Sequence, residues 1–208
     1  MPLYALVALL LAAPASAAKI QAVVQDKYGK PVADAVVYLA TESSAAYSAP
    51  ETPFVMDQVK QEFVPRVLAI PAGGKVSFPN SDNIHHHLFS FSETKKFEVP
   101  LYKGKPADPV AFDKPGIVKV GCNIHDWMAG VIVVLPSPSF AKTDAKGAAQ
   151  LEVPDGEEAV LEVFHPLLRG EPKETRKTVK LGEGAKAEWK LPLKMDNRKK
   201  RPASYSNY

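Results

Sequence analysis

The sequence predicts an all-β protein with β-sandwich architecture, and three observations indicate this fold class. The 208-residue chain contains 19 prolines and 12 glycines, which favour short strands and turns over long helices. Short apolar or alternating runs recur along the chain with turn residues between them, as is typical of sandwiches. No segment shows the apolar period of a helix of normal length.

The strand patterns fall into several short segments. The region 41–52 is small and polar and is predicted to be a loop, and the mixed region 93–115 is predicted to be loop-rich. The predicted strands lie in 20–40, 67–70, 75–78, 85–92, 116–122, 130–136, 140–168 and 188–191.

The first eighteen residues, MPLYALVALLLAAPASAA, have the pattern of a secretory signal peptide. An apolar run over 3–13 precedes Ala15-Ser16-Ala17, and we expect cleavage near Ala17 or Ala18. The usual Lys or Arg near the start is missing. A membrane anchor is the alternative, but the run is shorter than the roughly 20 residues that span a bilayer. We therefore expect a periplasmic protein without stable membrane insertion.

The composition is globular, with 46% hydrophobic and 24% charged residues, and the formal net charge is +3. The basic residues concentrate at the end, where 194–208 carries five positive charges and one negative charge. We expect this segment to be a solvated, disordered tail. Because the rest of the chain is close to neutral, the sequence predicts no nucleic-acid-binding face.

The stretch VGCNIHDWMAG, residues 120–130, contains the only cysteine of the chain, Cys122. Exported proteins use cysteines mostly in disulfides, so a single thiol pairs between chains, is inert or binds something. His125 and Met128 follow at intervals of three residues, between two predicted strands. A thiolate, an imidazole and a thioether together suit copper in both oxidation states. A buried structural thiol and a core methionine are the competing interpretations.

A trigonal copper site needs a second histidine. The run His85, His86 and His87 supplies candidates at the start of a predicted strand. Alternation places His85 and His87 on the face of Phe89 and Phe91, and His86 on the opposite face. Either face is compatible with a core, so the pattern leaves the choice open.

The motif Val76-x-Phe78-Pro-Asn80, a histidine six residues after Asn80, and Cys-x2-His-x2-Met together resemble a cupredoxin. The ligand loop resembles that of amicyanin, and residues 56–104 resemble plastocyanin-like exported proteins of the methylamine-utilisation type. The resemblance implies a Greek-key cupredoxin β-sandwich. It also implies one type 1 (blue) copper ion, held by His86, Cys122, His125 and Met128.

The segments on either side of the copper region resemble a second, transthyretin-like or carboxypeptidase-regulatory-like β-sandwich. The expected organisation is a signal peptide, the first part of this flanking sandwich, a copper domain, the remaining part of the flanking sandwich and a basic tail. The corresponding ranges are 1–18, 19–50, 51–136, 137–193 and 194–208. Whether 19–50 and 137–193 form one sandwich is left open by the sequence.

Five other residues near these motifs need an interpretation. His87 stands where cupredoxins often have an asparagine that bonds across to the cysteine loop, which puts that contact in doubt. Trp127 shields the site or packs, and Asp126 is expected to be exposed. His165 has no ligand spacing and is interpreted as a structural or surface histidine. Met56 is an alternative axial ligand without local support.

Four protein ligands leave copper no open position, whereas catalytic metal sites keep one. The sequence therefore favours one-electron transfer with a redox partner protein over catalysis. A copper carrier or store is one alternative, and a β-sandwich binding module with an ancillary copper site is another. The sequence shows neither a serine–histidine–acid set nor an H-E-x-x-H motif, so a hydrolase finds no support.

Overall fold

The computed structural model describes residues 17–41, 49–105, 108–197, 200 and 202. Within these ranges the protein is all-β, which confirms the predicted fold class, and its helical content is one 3-10 turn, Pro172–Thr175. The strands in chain order are β1 (Ala17–Asp26), β2 (Val36–Leu39), β3 (Phe54–Val55), β4 (Asp57–Val59), β5 (Glu62–Val64), β6 (Val67–Pro71), β7 (Gly74–Ser77), β8 (His86–Ser92), β9 (Lys95–Tyr102), β10 (Val110–Phe112), β11 (Gly116–Cys122), β12 (Ala129–Leu135), β13 (Phe140–Lys142), β14 (Ala148–Pro154), β15 (Glu158–Phe164), β16 (Lys177–Lys180) and β17 (Lys186–Leu191).

The middle of the chain forms a sandwich of a five-stranded and a three-stranded sheet. The five-stranded sheet has the order β6-β12-β11-β8-β9, and the three-stranded sheet has the order β10-β7-β3. In β11, Val118, Val120 and Cys122 are buried at alternate positions, because successive side chains of a strand point to opposite faces. They share one core with Val76 of β7 and Phe112 of β10. Cys122 therefore lies at the end of a core-facing row.

A separate hairpin of β4 and β5 packs on this sandwich, with Phe63 of β5 in its core. It is joined to the chain before β8 by a parallel bridge between Gln58 and Asn80. Phe63 of β5 packs on β12 so closely that a Cβ atom at Gly130 would lie 3.2 Å from the Phe63 Cβ atom. The hairpin thus contacts both the segment that leads into β8 and the segment that begins β12.

The flanking segments form a second pair of sheets, with the orders β14-β1-β17 and β13-β2-β15-β16. β1 pairs antiparallel with β14 and parallel with β17. Residues from before and after the middle sandwich share one hydrophobic core; Ile20 and Val37 belong to the first group, Leu161 and Trp189 to the second. The two flanks therefore form one sandwich in this structure. The exact domain boundaries stay a prediction.

A third core joins the two sandwiches. All four residues of β2 are buried, because the strand has an apolar neighbour on each face. Val37 and Leu39 face the core of the flanking sandwich, whereas Val36 and Tyr38 pack in the third core. The residues that β6, β12 and β15 contribute to this third core are Val67, Val133, Leu135 and Phe164.

The structure differs from the sequence-based expectations at several segments. The predicted loop region 93–115 contains the eight-residue strand β9 and the short strand β10. β16 and the β4–β5 hairpin were also not predicted. Of the predicted signal peptide, 1–16 lies outside the described residues, whereas Ala17 and Ala18 lie in β1. Residues 42–48 of the predicted loop region 41–52 and most of the predicted tail beyond 197 also lie outside them.

No helix in the described part of the chain is long and apolar enough to cross a membrane.

Candidate metal centre

Two neighbouring strands and one short loop bring the predicted ligands together. Cys122 is the last residue of β11, and it pairs with Leu88 of the adjacent strand β8. His86 is the first residue of β8. The loop between β11 and β12 returns His125 to the same place. Because both strand ends belong to one sheet, the positions of Cys122 and His86 are set by backbone pairing.

The three side chains form a compact buried cluster. The Cys122 Sγ atom lies 3.6 Å from His86 Nδ1 and 3.8 Å from His125 Nδ1. One donor atom from each of the three residues lies within 4.8 Å of the others. Their exposed fractions are 6%, 0% and 5% for Cys122, His86 and His125. In the described residues this is the one group of three or more His, Cys, Asp or Glu side chains with metal-binding geometry.

The separations of these donor atoms fit one bound ion. A metal–thiolate bond of about 2.3 Å and a metal–imidazole bond of about 2.0 Å, at angles of about 110–120°, place the two donors about 3.5–3.7 Å apart. The two distances from the Cys122 Sγ atom, 3.6 and 3.8 Å, agree with this value. Two imidazoles and one thiolate are the equatorial donors of a type 1 copper site. His86, Cys122 and His125 therefore form a candidate type 1 copper site.

The backbone of the ligand loop fixes Met128 beside the cluster. The Met128 N–H donates to the His125 carbonyl at 2.9 Å, and the Cys122 N–H donates to the Met128 carbonyl at 3.3 Å. Met128 is 2% exposed and belongs to the same core as Cys122. Its role as the axial ligand stays a prediction. Met56, the alternative, is also fully buried in this core.

The structure distinguishes between the three consecutive histidines. His85 is exposed, His87 is half-buried and His86 is fully buried. Leu88 and Ser90 continue the buried face of β8, whereas Phe91 is 79% exposed. The core face is therefore the one that carries His86, and His86 is the histidine that lies beside Cys122.

His87 replaces the expected asparagine and still connects the two ligand-bearing segments. Its carbonyl accepts a hydrogen bond from the Asn123 N–H at 3.0 Å, and its Nδ1 atom lies 3.4 Å from the Asn123 side-chain nitrogen. Its Nε2 atom is 2.7 Å from a Glu98 carboxylate oxygen. The cross-segment contact that the sequence put in doubt is thus present, with the backbone as its main component.

Asn80 organises the turn that leads into β8. Its side-chain NH2 donates to the carbonyls of Ile84 at 2.8 Å and Tyr102 at 3.0 Å. Its side-chain oxygen accepts from the Asp82 N–H at 3.1 Å. Asn80 is 4% exposed, so these bonds satisfy a buried amide. The result is a rigid turn with the Asp82 carboxylate 2.9 Å from His86 Nε2.

The sequence reasoning did not find Asp82. The available signal was a carboxylate four residues before the ligand histidine, in a turn that begins with Pro79-Asn80. Because metal-binding histidines commonly bond a carboxylate through the other ring nitrogen, this spacing could have indicated a partner for His86.

The electrostatics of the cluster favour the thiolate form of Cys122. Burial raises the pKa of the Cys122 thiol, but hydrogen bonds from His86 and from backbone N–H groups outweigh burial and lower it. For His86, burial lowers the pKa, and hydrogen bonds with Cys122 and Asp82 together raise it above its ordinary value. Burial and the neighbouring charge of His86 lower the pKa of His125. A deprotonated thiol is the form that binds metal.

The other residues singled out from the sequence have simpler environments. The Trp127 ring packs on His125 with ring centroids 5.2 Å apart, and Asp126 is exposed as expected. His165 accepts a hydrogen bond from the Leu167 N–H at 3.2 Å and lies outside the donor cluster. Its ring thus bonds the backbone of its own segment, and its interpretation as a structural or surface histidine stays a prediction.

Comparisons with known proteins gave matches among solved structures. No protein-family model and no curated protein sequence matches the chain. A copper-containing nitrite reductase from Thermus scotoductus is 28% identical, with 46% of this chain and 25% of that chain covered and a TM-score of 0.38. The chain thus spans about a quarter of that enzyme. Two amicyanin variants, one with Cu(I) and one reduced, are each 22% identical, with 47% of this chain and 97% of theirs covered. Their TM-scores are 0.37 and 0.38. The chain is similar to these copper proteins over less than half of its length.

Proposed function

We propose that this protein is a type 1 copper protein that transfers single electrons. The convergence of two imidazoles and one thiolate in a buried cluster, with donor separations that fit one ion, is the observation that carries the proposal. His86, Cys122, His125 and Met128 would hold the copper ion. Copper supplies a one-electron couple between its two oxidation states.

The protein environment supports electron transfer rather than turnover of a substrate. The ligands come from paired strand ends and from a loop held by backbone hydrogen bonds, so they change position little between oxidation states. Four protein donors leave no open coordination position, whereas catalytic metal sites keep one. We therefore infer that the protein is not an enzyme and that it exchanges electrons with a redox partner protein.

The cellular setting belongs to the same proposal. The signal-peptide pattern of 1–18 supports export to the periplasm. One buried, unpaired thiol is compatible with an oxidising compartment when the thiol is a metal ligand. We infer a soluble periplasmic electron carrier that exchanges electrons with another protein. It would neither bind nucleic acid nor insert stably into a membrane.

A copper titration followed by voltammetry tests this function. We expect one tightly bound copper per chain, a strong sulfur-to-copper charge-transfer band and a reversible one-electron wave. Cys122→Ser should remove the band because a hydroxyl does not replace a thiolate. Several copper ions per chain that a chelator removes easily would favour the alternative function of a copper carrier or store. A copper centre that catalyses oxidation or reduction of a small molecule would favour an enzyme.

A further inference from the structure

We propose that Asp82 and the Lys60–Gln61 turn of the β4–β5 hairpin form a strap that fixes the orientation of the His86 ring at the metal centre. The inference rests on the proposed function and assigns a positioning role to a hairpin that contributes no ligand of its own.

One carboxylate makes all the contacts of the strap. Asp82 Oδ2 lies 2.9 Å from His86 Nε2 and accepts the Gln61 N–H at 2.8 Å, and Oδ1 accepts the Lys60 N–H at 2.5 Å. The Asp82 side chain is 12% exposed and that of His86 is 0% exposed. The bond at Nε2 leaves Nδ1 directed at Cys122, so Asp82 selects which ring nitrogen meets the metal.

The turn is shaped to hold this carboxylate. Lys60 and Gln61 both have left-handed backbone conformations, with φ of 54° and 59°. This conformation is unfavourable for residues with a side chain, and it is retained where neighbouring contacts compensate. Here the two consecutive N–H groups point to Asp82, whose negative charge makes these hydrogen bonds stronger than neutral ones. The turn and the carboxylate therefore stabilise each other.

The hairpin is itself attached at two other places. Ser81 donates its hydroxyl to Asp57 Oδ2 at 2.8 Å, and the Gln58 N–H donates to the Pro79 carbonyl at 3.0 Å. On the other side, Phe63 packs against Gly130 at the start of β12. The hairpin thus connects the turn before His86 to the strand that follows the Cys122–Met128 loop. A fixed hairpin holds Asp82, and Asp82 holds the ring.

The contact between Glu98 and the neighbouring histidine, His87, provides a matched control. Glu98 bonds His87 Nε2 at 2.7 Å, which is the same chemistry on a histidine outside the donor cluster. The Glu98 side chain is 65% exposed and is not bonded to the hairpin turn. Removal of Glu98 therefore removes a carboxylate–imidazole contact without disturbing the strap.

The test compares Asp82→Ala, Asp82→Asn and Glu98→Ala in the full chain. Copper affinity is measured by competition with a chelator, together with the charge-transfer band and the electron-paramagnetic spectrum. We expect Asp82→Ala to bind copper about 10–100-fold more weakly, as is usual when the partner of a ligand histidine is lost. Asp82→Asn retains an acceptor oxygen and should restore part of the affinity and spectrum. Glu98→Ala should match the wild type.

A second readout does not depend on copper. In the copper-free protein the His86 Nε2–H proton should give a protected, downfield magnetic-resonance signal that Asp82→Ala abolishes and Glu98→Ala preserves. Unchanged affinity and an unchanged signal in both Asp82 variants would overturn the strap. A wild type that binds no copper would instead overturn the proposed function, while the proton signal still decides on the strap. If Asp82→Ala does not fold, Asp82→Asn decides on both readouts.

Discussion

The hydrogen bond between Tyr38 and Glu162 should stabilise the pairing of β2 with β15 in the flanking sandwich by a measurable amount. Tyr38 lies in β2 within the third core and is 7% exposed, and its hydroxyl donates to Glu162 Oε2 at 2.7 Å. Glu162 is also 7% exposed, and its other oxygen accepts from Arg176 at 2.6 and 2.9 Å. The Tyr38→Phe variant removes one donor to a buried carboxylate and leaves the Arg176 contact intact.

A hydrogen bond to a charged group contributes about 1.5–3 kcal/mol, so we expect Tyr38→Phe to lower the free energy of unfolding by about 2 kcal/mol. For a chain of this size that corresponds to a fall in Tm of about 4–8 °C. Urea unfolding followed by circular dichroism measures the change. Tyr28→Phe is the control, because Tyr28 is 81% exposed. A loss below about 0.5 kcal/mol for Tyr38→Phe would refute the reasoning, and the copper spectrum should be unchanged in both variants.

Three further predictions concern individual side chains. His86→Ala should abolish or grossly alter the copper spectrum, whereas His85→Ala, which removes an exposed ring, should leave it intact. Equal effects of the two variants in a copper titration would contradict the assignment of His86 as the ligand. Met128→Leu should keep the cysteine–copper colour and raise the reduction potential in voltammetry, because a weak donor to the oxidised ion is lost. Met56→Leu should leave the reduction potential unchanged. If Met56→Leu raised the potential and Met128→Leu did not, Met56 rather than Met128 would be the axial ligand. Because burial and the charge of Arg66 lower the pKa of His165, the unfolded chain takes up a proton there more readily, and the free energy of unfolding should fall below about pH 6.5. For His165→Asn, the free energy of unfolding, measured by urea unfolding at pH 7 and pH 5, should fall less between these two pH values. An equal fall in variant and wild type would argue against a neutral His165 in the folded protein.

The ligand loop could be predicted from the sequence because its candidate ligands lie close together along the chain. Cys122, His125 and Met128 lie within seven residues between two apolar strands, and strand ends fix where such a loop returns. The choice among the three histidines was harder, because Phe89 and Phe91 resemble core residues. In the structure these two rings pack on each other at 5.0 Å on the outer face, and Phe89 covers Gly121.

Contacts between distant segments could not be read from periodicity. Asp82 bonds the Lys60–Gln61 turn across about twenty positions, and nothing in either segment alone indicates this partner. β9 lies in the region 93–115, which was predicted to be loop-rich because its composition is mixed, and Pro100 and several charged residues interrupt the apolar pattern of the strand. It is an edge strand of the five-stranded sheet, where a missing N–H and outward charges are tolerated.

The strand β2, with apolar neighbours on both faces, has a consequence for protein engineering. An excised copper-binding half would leave Val67, Val133 and Leu135 facing water, since β2 and β15 supply their cover. Such a fragment would self-associate unless these three positions were made polar. The flanking strands therefore keep the metal-binding half soluble, and a minimal version of this protein has to retain them or carry polar residues at these three positions.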